Sequence, residues 1–218
     1  MKIYIIAVLT VLAPLMAQAE PFGFYAITDN TPYNASAGEN QLFMLVDEGG
    51  TLGQVSVLFT NTGPTASTLK SIYFDTLDPY VSPAIDLQIE SIVNGTGVNF
   101  TEDKKVKNFN GGNPIRAFSS NLSLGNDGSN ANGIDPNEYL ILNLTYNQSA
   151  YDFMDMLQSG DLQVGLHAGA FPNGGSEKFV NSTEPYDSVI PEPSTALLLG
   201  FSGLLVKGFR SLRQRFDP

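Results

Sequence analysis

The chain has 218 residues, with 11 lysines and arginines, 22 aspartates and glutamates and no cysteine, and its formal net charge is −11. The lack of cysteine excludes thiol catalysis, disulfide bonds and thiolate metal sites. The acidic balance disfavours nucleic acid as a partner, because phosphate binding needs positive charge. It also predicts repulsion of anionic polysaccharide unless calcium or another cation bridges the two. Solubility outside the cell explains the acidity most simply.

The N-terminal segment has the layout of a cleaved signal peptide. Lys2 supplies a positive charge, residues 3–16 are apolar, and Ala17-Gln18-Ala19 forms a small-residue cleavage site before Glu20. We therefore expect residues 1–19 to direct export and to be removed by signal peptidase. An uncleaved membrane anchor is the alternative interpretation.

The segment between the two ends, residues 20–188, is long enough for one extracellular domain with a hydrophobic core. Over residues 20–190 the chain carries 20 acidic and six basic residues, so this part has a formal charge of −14. The bases are Lys70, Lys104, Lys105, Lys107, Arg116 and Lys178. The three lysines between 104 and 107 form one basic cluster, which we interpret as a solvated strand end or loop.

Apolar residues alternate with polar ones in four segments, which predicts β-strands with one face in a core and the other nearer to water. The four segments are 55–59, 85–89, 140–146 and 162–170. A fifth segment, 42–46, is apolar throughout and is predicted to be a strand buried on both sides. Asn-Gly or Gly-Pro pairs at 63, 94, 110, 132 and 173 mark turns between strands. The pattern predicts an all-β fold, an antiparallel β-sandwich of the jelly-roll kind.

One segment changes from the strand pattern to a helical one. The spacing of an amphipathic helix is shown by Ala150, Phe153, Met154 and Leu157. Ser149 followed by Asp152 resembles a capping box, and Gly160 stands where a helix usually ends. We therefore predict one short helix, over 150–158, between the last two long strands.

Residues 121–137 are rich in Asn, Gly, Ser and Asp, and are predicted to be a long surface loop. The oxygen-bearing side chains of this region make it a weak candidate for calcium, which takes six to eight oxygen ligands. The candidate ligands are Asp127, Asn130, Asn132, Asp135 and Glu138. The spacing of an EF-hand is absent, so an ordinary loop is the main interpretation and no cofactor is expected.

His167 is the only histidine, so it is the single candidate for the base of a serine hydrolase, and a multi-histidine zinc site is excluded. Alternation places it with Gln163 and Gly165, opposite the core-facing residues, and no Gly-x-Ser-x-Gly motif accompanies it. A structural or surface histidine is therefore expected. A glycosidase with paired carboxylates is a further alternative, although the chain has no tryptophan to stack a sugar ring.

Residues 189–218 carry the most specific signal in the chain. Pro191-Glu192-Pro193-Ser194-Thr195 is followed by an apolar stretch at 196–206 and then by a basic stop. The basic stop consists of Lys207, Arg210, Arg213 and Arg215. The apolar stretch is shorter than the roughly 20 residues that span a bilayer core, and the prolines favour an extended motif suited to a protease. A single-span anchor with a Pro-rich stalk is the alternative.

This three-part order resembles the PEP-CTERM sorting signal of Gram-negative bacteria that produce exopolysaccharide, although Ile190 replaces the commoner valine before the motif. The resemblance implies transient membrane insertion of the tail and recognition of the motif by an exosortase-type protease. The tail would then be removed, as in other processed tails, and the protein would pass to the cell surface or extracellular matrix.

Four short motifs of the domain also resemble the body of one group of PEP-CTERM proteins, for which no activity can be carried over. The motifs are Gly133-Ile134-Asp135-Pro136-Asn137-Glu138, Val164-Gly165-Leu166-His167, Gly174-Gly175-Ser176 and Phe179-Val180-Asn181.

The sequence thus predicts an exported, non-enzymatic protein with a structural or matrix-interaction role at the cell envelope, the surface or the exopolysaccharide matrix. A carbohydrate-binding module is the second hypothesis, with Tyr25, Tyr33 or Tyr80 as surfaces for a sugar ring. A secreted hydrolase is the third. Signal peptidase and an exosortase-type protease are the expected partners during export, and exopolysaccharide is a further expected partner.

Overall fold

The computed structural model describes residues 19–49, 51–76, 85–103, 109, 118, 120–126, 130–147 and 152–183, which form ten strands and two α-helices. The strands are β1 (Glu20–Ala26), β2 (Leu42–Asp47), β3 (Gln54–Asn61), β4 (Thr68–Asp75), β5 (Leu87–Asn94), β6 (Phe100–Glu102), β7 (Leu122–Asn126), β8 (Glu138–Tyr146), β9 (Gln163–Gly169) and β10 (Ser176–Asn181). The helices are α1 (Pro32–Gln41) and α2 (Phe153–Ser159).

The strands form one sheet in the order β5-β8-β3-β2-β1-β10-β9-β4-β7-β6, and every pairing is antiparallel. The predicted all-β, antiparallel class is therefore confirmed. Alternation correctly predicted β3, β8 and β9, because each has apolar residues at every second position facing one core. The apolar segment at 42–46 is β2, and its side chains are mostly buried, as predicted.

The two ends of β1 pair with different strands, and this change of partner divides the sheet into two halves. The first part of β1 pairs with β2 from Glu20 to Gly23, and the second part pairs with β10 from Phe24 to Ala26. At the other end, β5 and β6 are consecutive in the chain and are joined by a short turn. The Asn94 side chain closes this turn by accepting a hydrogen bond from the Phe100 backbone N–H at 2.9 Å.

The main hydrophobic core takes side chains from both halves of the sheet, and they belong to one cluster of buried residues. Phe59 on β3 and Phe74 on β4 meet in this cluster with ring centroids 6.3 Å apart and planes at 81°, an edge-to-face contact that aromatic pairs favour. The two strands are consecutive in the chain but belong to different halves, so this contact joins the halves across the core.

Helix α1 was not predicted, and the expectation of a single helix was wrong. Its buried residues are small or polar, namely Asn34, Ala35, Gly38 and Gln41, so it lacks the apolar stripe that identifies a helix in sequence. Gly38 lies against the Phe179 ring so closely that a Cβ atom would overlap it. Close approach of the helix to the sheet therefore depends on a glycine rather than on an apolar face.

Helix α2 confirms the predicted helix between β8 and β9, but it begins later than expected. Asp152, not Ser149, caps it, because the Asp152 carboxylate accepts a hydrogen bond from the Asp155 N–H at 2.8 Å. Ser149 itself lies outside the described residues. The helix ends at Gly160, whose φ of 82° is left-handed, as the glycine signal predicted.

A second carboxylate also serves the start of α2. Glu48, which follows β2, accepts hydrogen bonds from the backbone N–H groups of Phe153 and Met154, at 2.8 and 3.3 Å. Burial raises the pKa of Glu48, the Asp152 carboxylate raises it further, and the two backbone hydrogen bonds oppose them. The backbone hydrogen bonds thus hold the carboxylate at the start of α2 in spite of its partial burial.

The prediction of a long surface loop over 121–137 was wrong. This region contains β7 and a short 3-10 turn, and Ile134 is fully buried, with a bridge to Leu69. Gly133 lies so close to β4 that an added Cβ would be 2.6 Å from the Leu69 carbonyl oxygen. A composition rich in Asn, Gly and Ser therefore reflects tight packing against β4 here rather than exposure to solvent.

The described residues lie in one compact unit, which spans Ala19–Tyr186. A second unit, Met1–Gln18 with Asp187–Pro218, lies outside the described residues. Neither of the two helices in the described part of the chain is long and apolar enough to cross a membrane.

Candidate functional site

The outer face of β4, β9 and β10, on the side away from the main core, brings several chemically distinctive side chains together. His167 on β9 lies between Lys178 on β10 and Ser71 on β4 in the strand register. Side chains that are directly opposite on neighbouring antiparallel strands are about 5 Å apart at Cβ. We call this surface the basic-aromatic face. It comprises His167, the two lysines beside it and the aromatic rings that cover these strands, namely Lys70, Lys178, Tyr73, Phe109 and Phe118.

The expectation that this side of β9 faces water was wrong. Phe109 and Phe118, from the connection between β6 and β7, lie over Gly165, where an added Cβ would be 2.9 and 3.1 Å from their rings. Phe109 also contacts Tyr73, with ring centroids 4.8 Å apart, and Phe118 at 4.6 Å. A second, smaller apolar cluster therefore covers this side of the sheet. The absence of a side chain at Gly165 leaves room for its rings.

Replacing Gly165 with alanine should lower the free energy of unfolding by about 1–3 kcal/mol, because the Phe109 and Phe118 rings must move to admit the methyl group. Chemical denaturation followed by circular dichroism measures the change. Gly169→Ala is the matched control on the same face of the same strand. Its added Cβ would mainly meet the flexible end of Lys70, so a loss below about 1 kcal/mol is expected. Equal losses for both variants would contradict the packing of Phe109 on Gly165.

The cationic groups of the basic-aromatic face lie around these rings. The Lys178 ammonium is 5.2 Å from the centroid of the Phe109 ring, within the range of a cation–π contact. The Lys70 chain extends over Gly169, where its Nζ would be 2.8 Å from an added Cβ. His167 lies on the same face two residues before Gly169, so the two lysines flank its imidazole.

The environment of His167 favours the neutral imidazole. Burial is the main reason that its pKa is lowered from 6.5, and the charges of Lys178 and Lys70 lower it further. Burial also lowers the pKa of Lys178 from 10.5. A catalytic triad would instead require a carboxylate to hold the imidazolium, and the charges that act on His167 from the described residues are both positive.

The folded protein should lose stability through His167 as the solution becomes acidic. A lowered folded-state pKa means that the stability is fully present above the unfolded value of about 6.5 and is lost as the pH falls through the folded pKa. Unfolding free energies of the wild type and of His167→Gln, measured from pH 8 to pH 5, isolate this contribution, because the other titrating groups are common to both. The wild type should lose more stability on acidification. Parallel curves for the two proteins would contradict the assignment.

Two of the calcium candidates, Asp135 and Glu138, are engaged in a turn. The Thr68 hydroxyl donates to the Asp135 carboxylate, and the Glu138 carboxylate accepts a hydrogen bond from the Asp135 N–H at 2.9 Å. These contacts fix the Gly-Ile-Asp-Pro-Asn-Glu motif as the turn that leads into β8. Asp127 lies outside the described residues, and nothing is described of the Asn130 side chain. No group of three or more His, Asp or Glu residues is placed to hold a metal ion in the described ranges.

The tyrosines proposed as sugar-stacking surfaces lie in different places. Tyr25 on β1 is half-buried and packs against the second apolar cluster, so it borders the basic-aromatic face. Tyr33 is on the first turn of α1 and is 53% exposed. Tyr80 lies outside the described residues. Tyr139, at the start of β8, is a further exposed tyrosine that the sequence patterns did not indicate.

The predicted sorting and processing residues fall almost entirely outside the described part of the chain. These are Ala17, the motif Pro191-Glu192-Pro193-Ser194-Thr195 and the basic residues Lys207, Arg210, Arg213 and Arg215. The predicted basic cluster, Lys104, Lys105 and Lys107, lies outside it as well. Of the cleavage-site residues, Ala19 immediately precedes β1, and Glu20 is its first residue.

The comparisons with known proteins found no match: no protein-family model, no curated protein and no solved structure corresponds to this chain.

Sequence reasoning identified His167 but missed the residues that surround it, Lys70, Lys178, Tyr73, Phe109 and Phe118. One signal for Lys178 was available, because it alternates with the buried Glu177 and Phe179 and therefore points away from the core. The aromatic residues carry no such signal, since the contacts of Phe109 and Phe118 with β4 and β9 bridge more than 30 positions of sequence.

Proposed function

We propose that this chain is an exported, non-enzymatic protein whose C-terminal signal directs it to the cell surface or the exopolysaccharide matrix, where its β domain has a structural or matrix-interaction role. The observation that carries the proposal is the order of motif, short apolar stretch and basic stop over residues 191–215. In this proposal the ten-stranded sheet is a jelly-roll-like sandwich, with its two halves as the two layers. Signal peptidase and an exosortase-type protease process its ends.

The position of β1 supports the predicted N-terminal cleavage. The strand begins at Glu20, the first residue after the predicted site, and pairs with Val46 there. Cleavage between Ala19 and Glu20 would leave every residue of the strand in the domain. A hydrophobic leader and a folded sheet would therefore share no residue.

The use of polar residues inside the domain supports a structural role. Glu177 is 1% exposed, and its carboxylate accepts hydrogen bonds from the Thr28 hydroxyl and from the N–H groups of Asn30 and Thr31. The Gln41 amide likewise donates to Ser67 at 2.6 Å. These side chains hold loops against the sheet. Asp135 and Glu138 hold the turn before β8 in the same way, through their hydrogen bonds.

The sorting proposal is tested by replacing Pro191 and Pro193 with alanine in a host that encodes an exosortase-type protease. The wild type should be recovered from the surface or matrix without its tail, whereas the variant should remain in the membrane fraction with the tail attached. Asp217→Asn, a change beyond the basic stop, is the control and should behave as the wild type does. Recovery of the double variant from the matrix in wild-type amount would contradict the proposal.

A carbohydrate-binding module remains the second proposal, because Tyr25 and Phe118 are partly exposed aromatic side chains at one face. Aromatic rings of this kind offer a surface for a sugar ring. Retention of the full chain on a neutral polysaccharide such as dextran would support it, provided that Tyr25→Ala reduces retention and Tyr33→Ala does not. Equal behaviour of the two variants would count against this site.

A further inference from the structure

The outer side of five neighbouring strands carries an uninterrupted row of apolar residues. The strands are β1, β2, β3, β8 and β5, which follow one another in the sheet. Direct cross-strand pairs join one apolar residue from each strand, in the order Pro21, Leu45, Leu58, Ile141 and Val93. Residues opposite each other on paired strands have their side chains on the same side of the sheet, so the five lie side by side. We call this set of five residues the apolar row.

The apolar row faces away from the main core. Leu45, Leu58 and Ile141 each lie between two buried core residues of their own strand, so they point to the other side. Val93 is 47% exposed, and the other four residues are partly exposed. None of the four aliphatic side chains belongs to either hydrophobic cluster of the described residues. The row is therefore an apolar surface that these clusters do not use.

Polar residues border the apolar row. On one side, the next positions in direct register are Asp47, Ser56, Asn143 and Ser91. The Asn143 amide donates a hydrogen bond to the Ser91 hydroxyl at 2.8 Å, from β8 to β5. On the other side, Thr60 lies opposite Tyr139, which is 41% exposed. An apolar centre with a polar border and an aromatic residue is the usual composition of a protein–protein interface.

Charged residues are sparse on these five strands. The strands contain four acidic residues and no basic one, whereas residues 20–190 include 20 acidic residues. Glu20, Asp47 and Glu138 lie at strand ends. Glu90 lies at the register shift of β5, so the apolar row itself contains no charge. Two acidic domains repel each other over most of their surfaces, and their approach is least unfavourable where such charges are few.

We propose that the apolar row is the contact surface for a second copy of this chain, and that two copies stack through it face to face. The inference rests on the proposed structural role and names a partner for it. A membrane surface fits the row less well, because the negative charge of membranes attracts basic residues and the five strands contain none. A sugar polymer fits it less well too, since the row is aliphatic and Tyr139 is the exposed ring beside it in the described part of the chain.

The row is centred on the middle strand, as a contact between two identical surfaces requires. β3 is the central strand of the five, so a two-fold axis through Leu58 exchanges β2 with β8 and β1 with β5. Leu58 then faces its own copy, and Leu45 faces Ile141 of the second copy. Asp47 faces the Asn143 amide of the second copy, which can donate to it. The arrangement therefore places apolar residues on apolar ones and brings Asp47 to a hydrogen-bond donor instead of a like charge.

The outer side of the five strands is large enough for a specific contact. Strands about 4.8 Å apart give a width of about 24 Å, and successive rows about 7 Å apart cover about 20 Å along the strands. The two copies together bury about 1,000 Å², which is near the lower limit for a specific interface. A contact of this size produces dimers that form as the protein concentration rises and separate as it falls.

The lack of cysteine allows the contact to be tested by site-specific cross-linking. Leu58→Cys places one thiol at the centre of the apolar row in the full chain, purified in mild detergent. Stacked sheets are about 10 Å apart, too far for a disulfide, so a short bismaleimide is the linker. Tyr33→Cys, at a 53% exposed position on α1, is the control. We expect a covalent dimer of the Leu58→Cys chain, with a yield that rises with concentration, and clearly less of the Tyr33→Cys dimer.

A second pair of variants tests the row itself. Ile141→Glu, added to the Leu58→Cys chain, places an unpaired carboxylate in the contact and should weaken dimer formation roughly tenfold or more. Tyr33→Glu adds the same charge on α1 and should leave the yield nearly unchanged. Circular dichroism shows whether each variant is folded. Val93→Glu, at an exposed position of the row, provides the same test if Ile141→Glu unfolds the domain.

Equal yields for the two cysteine variants would overturn the inference, because they would indicate association through other parts of the chain, such as the apolar segments near its ends. The absence of dimer for both would overturn it as well, and so would a yield that a carboxylate in the row does not lower. Retention on neutral dextran that Tyr139→Ala abolishes, without cross-linking, would assign the face to a sugar polymer instead. Each of these results leaves the tail-dependent sorting to its own experiment.

Discussion

Replacing Glu177 with alanine should lower the free energy of unfolding by about 3 kcal/mol, because the change removes a buried carboxylate and leaves the three partly buried hydrogen bonds to it without an acceptor. The carboxylate is 1% exposed and accepts from the Thr28 hydroxyl at 2.7 Å, the Asn30 N–H at 3.2 Å and the Thr31 N–H at 2.9 Å. Thr31 is the residue before α1, and its own side chain makes no capping hydrogen bond. Glu177 thus connects β10 to the start of the helix.

Two further variants separate this role from a general effect of charge. Glu177→Gln retains one oxygen acceptor and should lose less stability than Glu177→Ala. Glu90→Ala removes an exposed carboxylate from β5 and should change stability by less than about 0.5 kcal/mol. Chemical denaturation at neutral pH measures all three. A loss for Glu177→Ala as small as that for Glu90→Ala would contradict the connection.

Replacing Phe59 with alanine should lower the free energy of unfolding by about 3–5 kcal/mol, the usual cost of a large cavity in a core. Its ring is fully buried and meets Phe74 edge to face at 6.3 Å. Because the two residues belong to different halves of the sheet, the variant weakens the contact between the halves as well as the local packing. Val93→Ala is the control, since Val93 is 47% exposed on β5.

A double-mutant cycle tests the contact itself. The effects of Phe59→Ala and Phe74→Ala should not add, and the coupling should be about 0.5–1.5 kcal/mol, as for other aromatic pairs. Strict additivity would indicate that the two rings stabilise separate parts of the core.

Alternation in sequence predicted the strands whose two faces differ, and it failed where distant residues cover the second face. β3 and β8 alternate along their whole length and were predicted correctly. β9 alternates as well, yet Phe109 and Phe118 cover its outer face. Within β9, only Gly165 indicates this cover. A glycine at such a position is equally consistent with a local weakening of the strand, so the sequence alone does not identify the cover.

The same limit applies to helices and to sites. α2 carries apolar residues at helical spacing and was predicted, whereas α1 packs through Gly38 and polar residues, which resemble a turn in sequence. His167 was identified as the only histidine, but its neighbours depend on the register of three strands. Lys178 and Lys70 are separated by more than 100 positions, so no local pattern relates them to one another.

The mass of the protein recovered from the cell surface or matrix tests the central claim most directly. Our account predicts a polypeptide that begins at Glu20 and lacks the apolar stretch and basic stop of residues 196–215. Recovery of the complete 218-residue chain, with its mass of 23.5 kDa, from the same fraction of a strain that encodes the sorting protease would contradict it.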